Sequence, residues 1–304
     1  MNNSILIIGS SNTDMVIKTG HLPKPGETIL GGSFFMNGGG KGANQAVAAA
    51  RLGGAVTFIC KTGNDIFGKQ SIDLFEKENI NTKYILTDAA KPSGVALITV
   101  DKNGENCITV APGANAALMP EHLQDAADKI ATASVILIQL EIPLQTVFWV
   151  AETAAKYNVK LILNPAPAQH LPESLMKNIF IITPNETEAG MLSGITVKDI
   201  QSAKEAANII KQKGINTVII TMGATGALVV TDTITELVTA PHVDAADTTA
   251  AGDVFNGALA VAIAEGAGII EAAKFAGNAA AISVTRMGAQ ASAPYRHELA
   301  LFNK

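Results

Sequence analysis

The chain has 304 residues, 48% of them hydrophobic, which is enough to bury a sizeable core as one large domain with an appendage or two modest domains, and excludes disorder. Its formal net charge of −5 excludes a basic surface for nucleic acid or anionic membrane, so any phosphate site must be assembled locally from backbone amides and a few cations. The N-terminal MNNSILIIGSSNTD lacks a basic leader and a long apolar stretch, and Cys60 and Cys107 lie far apart without metal-ligand spacing, so a cytoplasmic protein with reduced thiols and no membrane span is expected.

In chain order, an aliphatic run at 5–8 reads as a buried strand, and 16–18 and 28–35 follow as strands with no helix between them. A helix is expected over 43–52, a strand over 56–60 and a helix over 71–77. Two further strands, 95–100 and 106–110, form a plausible hairpin around 102–105. Strands then recur at 135–140, 159–163, 179–183 and 217–221, with helices at 145–156 and 203–213 between them. After Gly223 come two strands and two Ala-rich helices, about 251–265 and 271–286. This alternation predicts an α/β protein of three layers, α/β/α, with a mostly parallel central sheet. The strands without helices, about 13–36 and 94–111, are assigned to a small antiparallel lid over a single core domain spanning 1–304. No internal repeat or low-complexity linker divides the chain.

Two glycine-bearing runs hold the strongest chemistry. In Asn37-Gly38-Gly39-Gly40-Lys41-Gly42-Ala43-Asn44-Gln45 the glycines permit close backbone approach just before a helix, whose first amides suit an oxygen-rich ligand; a tight structural turn is the other reading. The run does not sit directly after the first strand as a dinucleotide fingerprint would, and Gly42 after Lys41 breaks a Walker A motif. In Asp247-Thr248-Thr249-Ala250-Ala251-Gly252-Asp253, small residues leave successive amides free at a helix start, where the dipole favours developing phosphate charge. Asp253 there either takes the proton of an attacking hydroxyl or caps the helix, and spacing leaves both open.

Two runs follow predicted strands where nucleotide loops lie: Thr183-Pro184-Asn185-Glu186-Thr187-Glu188 and Thr221-Met222-Gly223-Ala224-Thr225-Gly226. Carboxylates of the first could hold Mg²⁺ through water, or form a solvated acidic helix start. Asn12 and Asp14 after the first strand, and Glu141 after 135–140, occupy strand ends that line ligand crevices or serve as turn residues. The five histidines, His21, His122, His170, His242 and His297, have no metal-binding spacing and are assigned to surface or core, and no GxSxG elbow occurs.

Together these motifs resemble the ribokinase branch of the phosphofructokinase-B-type carbohydrate kinases, from Ile5 to about Pro294. The likeness rests on Gly39-Gly40-Lys41-Gly42-Ala43-Asn44, the 247–253 run with two alanines before its glycine, Asn164-Pro165-Ala166-Pro167-Ala168 and Val284-Thr285-Arg286-Met287-Gly288-Ala289-Gln290. The resemblance implies phosphorylation of ribose at O5 by ATP, with Asp253 as the base and the amides of Ala250, Ala251 and Gly252 as an anion hole. It implies a sugar site of Asn12, Asp14, Gly40, Lys41, Asn44, Glu141 and Asp253. For ATP it implies Asn185, Thr221, Gly223, Ala224, Gly226 and Gly252; the adenine-side position aligns with Gly277, and Asn278 follows it. Glu188 and Asn185 would shape a magnesium–water network, and Asp247, Thr249, Ser283, Arg286, Gly288 and Ser292 a potassium site, several through carbonyls. A homodimer through the lid is expected by the same resemblance. Kinases of deoxyribose, fructose or a nucleoside, and a catalytically silent sugar sensor, are the alternatives.

Overall fold

The structure is a computed structural model that describes residues 3–302. The chain opens with β1 (Ser4–Ile8), β2 (Asn12–Lys18), β3 (Ser33–Gly39), α1 (Lys41–Arg51), β4 (Ala55–Ile59), β5 (Lys61–Gly63), α2 (Ile66–Lys77) and β6 (Leu86–Asp88). It continues through β7 (Gly94–Val100), β8 (Asn106–Ala111), α3 (Ala127–Thr132), β9 (Val135–Ile138), α4 (Leu144–Lys156), β10 (Lys160–Leu163), α5 (Glu173–Met176) and β11 (Ile181–Ile182). The last part holds α6 (Glu186–Ser193), α7 (Ile200–Gln212), β12 (Thr217–Thr221), β13 (Ala227–Val230), β14 (Thr235–Val238), α8 (Ala251–Ala264), α9 (Ile269–Ser283) and α10 (Arg296–Phe302).

Among the described residues the large sheet has eight strands in the order β14-β13-β12-β11-β10-β9-β1-β4. All six strands expected of the core are in it and pair in parallel; β13 and β14 extend one edge antiparallel. Side chains alternate across the sheet, so Ile5 and Ile7 pack with α1, α8 and α9 on one face while Leu6 and Ile8 pack with α3, α4 and α7 on the other. The result is the expected three-layer α/β/α arrangement, and no helix of the described residues is long and apolar enough to cross a membrane.

The lid strands form a separate four-stranded sheet, β3-β2-β7-β8. It is not purely antiparallel as expected, because its central pair, β2 and β7, runs parallel in register from Asn12 opposite Gly94 to Lys18 opposite Val100. The long excursion through α1, β4, β5, α2 and β6 returns the chain to the base of β2, and such a connection permits parallel pairing where a hairpin does not. β3 begins at Ser33, later than the expected 28–35, because Gly31 and Gly32 take φ of 106° and 104°, outside the extended region. The expected turn between β7 and β8 is present, with the Asp101 amide bonded to the Glu105 carbonyl. α2 starts earlier than expected, at Ile66, since the Asp65 carboxylate caps it by accepting the Gly68 amide. α9 stops at Ser283 instead of running to residue 286.

Small side chains decide where α1 and α8 meet. A Cβ on Gly257 would lie 2.7 Å from the Gln45 carbonyl oxygen and 2.9 Å from the Ala48 Cβ, so only glycine allows this approach. Asp253 is one helical turn before Gly257 on the same face and is thereby driven against the first turn of α1.

Candidate active site

The loops leaving the C-terminal ends of β1, β9, β10, β11 and β12 converge on the N-terminal ends of α1 and α8, the crevice an open α/β sheet offers to ligands. Asp253 lies at its centre and is buried. Its Oδ2 accepts from Asn44 Nδ2 at 2.9 Å and its Oδ1 from Gln45 Nε2 at 3.0 Å. The helix-cap reading of Asp253 therefore fails, for the N-cap of α8 is Ala250 and no side chain caps it. Burial pushes the Asp253 carboxyl up; Lys41 and the two amides oppose that, and Glu141 adds to it.

Lys41 opens α1, and its ammonium is raised above the usual lysine range, first by Asp253 and, against the cost of burial, by Glu141 and Glu188. One cation thus serves three carboxylates from different elements. Glu141 is anchored at the start of α1, where its Oε2 accepts the Lys41 amide at 3.0 Å and the Ser10 hydroxyl. Gly40 enters the helix with a φ of 88° and would place a Cβ 2.8 Å from the Asn12 amide nitrogen. Asp14, half-buried on β2, is pushed up to about 6 by burial and then by Glu141 and Asp253. Asn12 is held by Asn115 Nδ2, which donates to its Oδ1 at 2.8 Å. The sugar set named from the sequence is therefore brought together, at the junction of the lid sheet with the core.

On the far side of the α8 N-terminus a cavity of about 420 Å³ is lined by Thr221, Gly223, Ala224, Gly226, Gly252 and Gly277, among mostly apolar neighbours. Asn278, one residue beyond Gly277, is not among its lining residues. Asn185 stands beside Thr221 through a single parallel bridge, and the Thr221 amide donates to the Pro184 carbonyl. Among the described residues the amides of Ala250 and Gly252 meet no carbonyl partner, while Ala251 makes a 3.3 Å turn bond to Thr248. Ala250 has a φ of 61°, the left-handed turn by which the chain enters α8.

Asn185 and Glu188 form a reciprocal capping box on α6, at 2.8 and 2.9 Å. Glu188 is buried, not solvated, and burial pushes its carboxyl up even though the Asn185 amide and Lys41 pull it down. One Glu188 oxygen is left for other partners, which fits a hard, water-clad divalent ion; among the described residues no cluster of three metal-binding side chains could hold one unaided. Of the residues expected around a monovalent ion, Asp247 joins two others, its carboxylate accepting the amides of Thr249 and Gly288, each at 2.9 Å. Burial pushes this carboxyl up, but those bonds and Lys18 outweigh it and hold it low. Arg286 pairs through its guanidinium with Glu298, leaving its carbonyl as the group to offer an ion. Ser283 and Ser292 turn their hydroxyls onto the carbonyls of Ala280 and Ala289. The donors are hard oxygens, consistent with potassium.

Several site residues escaped the sequence reading. Gln45 is fully buried behind Asp253, with Asn164, Gln139, Thr183 and Asn256 around it in one hydrogen-bonded set. Gln45 closes the 37–45 run, but a glutamine in an Ala-rich helix looks like surface. His242, set aside with the other histidines, is exposed and lines the nucleotide-sized cavity; its place between a strand and the 247–253 run was the available signal.

Residues 2–296 match the pfkB family carbohydrate kinase pattern. The chain is 46% identical over 298 residues to a ribokinase of Haemophilus influenzae, covering 98% of this chain and 97% of that one. It is 40% identical to a deoxyribokinase of Salmonella typhi, over 95% of each chain. Its fold superposes with a TM-score of 0.94 and 30% identity on an Arabidopsis thaliana ribokinase complexed with ribose and ATP, covering 100% of this chain and 99% of that one. The chain belongs to the pfkB family of carbohydrate kinases.

Proposed function

We propose that this enzyme transfers the γ-phosphoryl group of ATP to O5 of ribose, giving ribose 5-phosphate and ADP, with Asp253 as general base. The observation that carries the reading is the meeting of buried Asp253 and Asn44 with Lys41 beside free amides at the start of α8, where an apolar cavity is lined in part by Ala251 and Gly252. Asp253 accepts the O5 proton as O5 attacks the γ-phosphorus; the new O5–P bond forms as the bond to the β-phosphate oxygen breaks, and ADP leaves. The amides of Ala250 and Gly252 meet the charge that develops on the transferring group, and Lys41 offsets the negative charge gathered around it. Asn12, Asp14 and Glu141 hold the sugar hydroxyls so that O5 is in line. The adenosine end occupies the cavity lined by Thr221, Gly223, Ala224, Gly226 and Gly277, and the four-stranded sheet closes as a lid that excludes water.

Glu188 and Asn185 would hold magnesium through water, and the ion, bound with the nucleotide, would neutralise phosphate charge. Asp247, Thr249, Ser283, Arg286, Gly288 and Ser292 would hold a potassium ion, which would supply positive charge to the anion site. The outer lid face presents Ile17, Phe34, Met36 and Leu97 to solvent, an apolar surface suited to a second copy of the chain, in a cytoplasmic homodimer.

A coupled ADP-release assay over a panel of ribose, 2-deoxyribose, fructose and adenosine tests the substrate. Ribose is expected to lead, because Asp14 and Glu141 left facing a missing hydroxyl penalise the deoxy sugar. Equal or better turnover of 2-deoxyribose reassigns the substrate to that of the deoxyribokinase relative. Asp253→Asn is expected to lower kcat by roughly 10³-fold while ATP still binds; near-wild-type kcat refutes the base assignment.

A further inference from the structure

Behind Asp253, on the side away from the sugar, the carboxylate is gripped by a residue with no assigned role. Gln45 is fully buried, with both amide hydrogens and its carbonyl oxygen engaged. Its Nε2 donates to Asp253 Oδ1 at 3.0 Å and to Asn164 Oδ1 at 3.1 Å, while its Oε1 accepts from Gln139 Nε2. A flipped amide would lose all three bonds at once, so the N–H facing Asp253 is dictated by its neighbours. The set closes on itself: Asn164 donates to the Thr183 carbonyl at 3.2 Å, the Thr183 hydroxyl to Asn256 Oδ1 at 2.6 Å, and Asn256 Nδ2 to the Gly252 carbonyl at 2.8 Å. One ring therefore ties the Asp253 carboxylate and the backbone beside it to α1, β10 and β11.

The two edges of that carboxylate differ. Oδ1 faces the closed ring; Oδ2 faces Asn44, whose own Oδ1 is buried without a partner among the described residues. An unmet acceptor next to Oδ2 marks the edge where a ligand hydroxyl arrives.

We infer that Gln45 is a positioning residue for the reaction proposed above: by engaging Oδ1 from behind, it fixes the carboxylate plane and leaves Oδ2 as the oxygen that takes the sugar proton. Gln45 also stabilises the charged form of the base, in the same sense as Asn44. The other charged groups facing Asp253 are Lys41 of α1, Glu141 after β9, Glu188 of α6 and Asp14 of β2, and none of these touches Gln45 through a hydrogen bond among the described residues.

The test is the pH profile of kcat at saturating sugar and ATP for the full-length Gln45→Met enzyme, which keeps the side-chain length and removes the donor. Its acidic limb is expected to move to higher pH, with kcat at pH 6 reduced about tenfold and recovering toward wild type at pH 9, and with both KM values changed less than about threefold. A purely structural role predicts instead a uniform loss at every pH; that result, or an unmoved limb, overturns the inference. Should Gln45→Met fail to fold, Gln45→Leu is the second variant: it likewise removes the donor facing Oδ1, and the same displacement of the limb is expected. An unmoved limb there also overturns it. Asp253→Asn separates the two ideas, since an active Asp253→Asn enzyme removes the base itself, whereas an inactive one with an unmoved Gln45→Met profile removes only the role of Gln45.

Discussion

Asp14 is placed for binding at the expense of folding, and Asp14→Asn measures that trade. Its carboxyl, ordinarily at 3.8, is pushed up to about 6 by burial and by the facing Glu141 and Asp253. A group whose folded pKa is raised contributes stability that is fully present below its unfolded pKa and is lost as pH rises through the folded one. In the free enzyme the ionised Asp14 therefore costs nothing below pH 3.8, progressively more up to about pH 6, and a constant amount above that. Two pKa units correspond to about 3 kcal/mol, and since Asp14 is only half-buried about 2–3 kcal/mol is the expected gain for Asn at pH 7. For a chain of this size that raises Tm by roughly 3–5 °C. The assay is thermal and urea denaturation of the sugar-free protein and the variant from pH 4 to 8. The advantage of Asn should grow between pH 4 and 6 and then level; a variant less stable at pH 7, or an advantage independent of pH, refutes the reasoning. The same carboxylate should make wild-type kcat/KM for the sugar fall as pH drops through about 6, and its loss should cost the variant about 100-fold at pH 7.

Two substitutions separate the sugar side from the nucleotide side. Gly94→Ala would put a Cβ 2.1 Å from Asn12 Oδ1 and 2.3 Å from Asn115 Nδ2, breaking the bond between them; a stability loss of about 1–3 kcal/mol and weaker sugar binding with unchanged ATP binding are expected by calorimetry. Gly277→Leu meets nothing within 4 Å at its Cβ and would project into the cavity, so KM for ATP should rise about tenfold while sugar affinity and Tm hold; an unchanged KM moves the adenosine site elsewhere.

Local signals carried much of this protein. Aliphatic runs such as Val135–Ile138 and Thr217–Thr221 are strands because β-branched side chains suit a sheet buried on both faces, and that pattern is visible without partners. The runs around Lys41 and Asp253 were legible for a related reason: clustered small residues before a helix are informative wherever they occur, and their likeness to carbohydrate kinases spans the chain.

Other features depend on residues far apart meeting. The parallel β2–β7 pairing follows from where the chain returns after α2 and β6, which no window of sequence encodes. Whether Asp253 caps its helix or faces a ligand was undecidable from spacing, because the answer is Asn44 and Gln45, 209 and 208 residues away. Gln45 and Asn164 are unremarkable polar residues until helix packing against Gly257 removes them from water; only then must each donor and acceptor find a partner, and that requirement, not their identity, makes them part of the site.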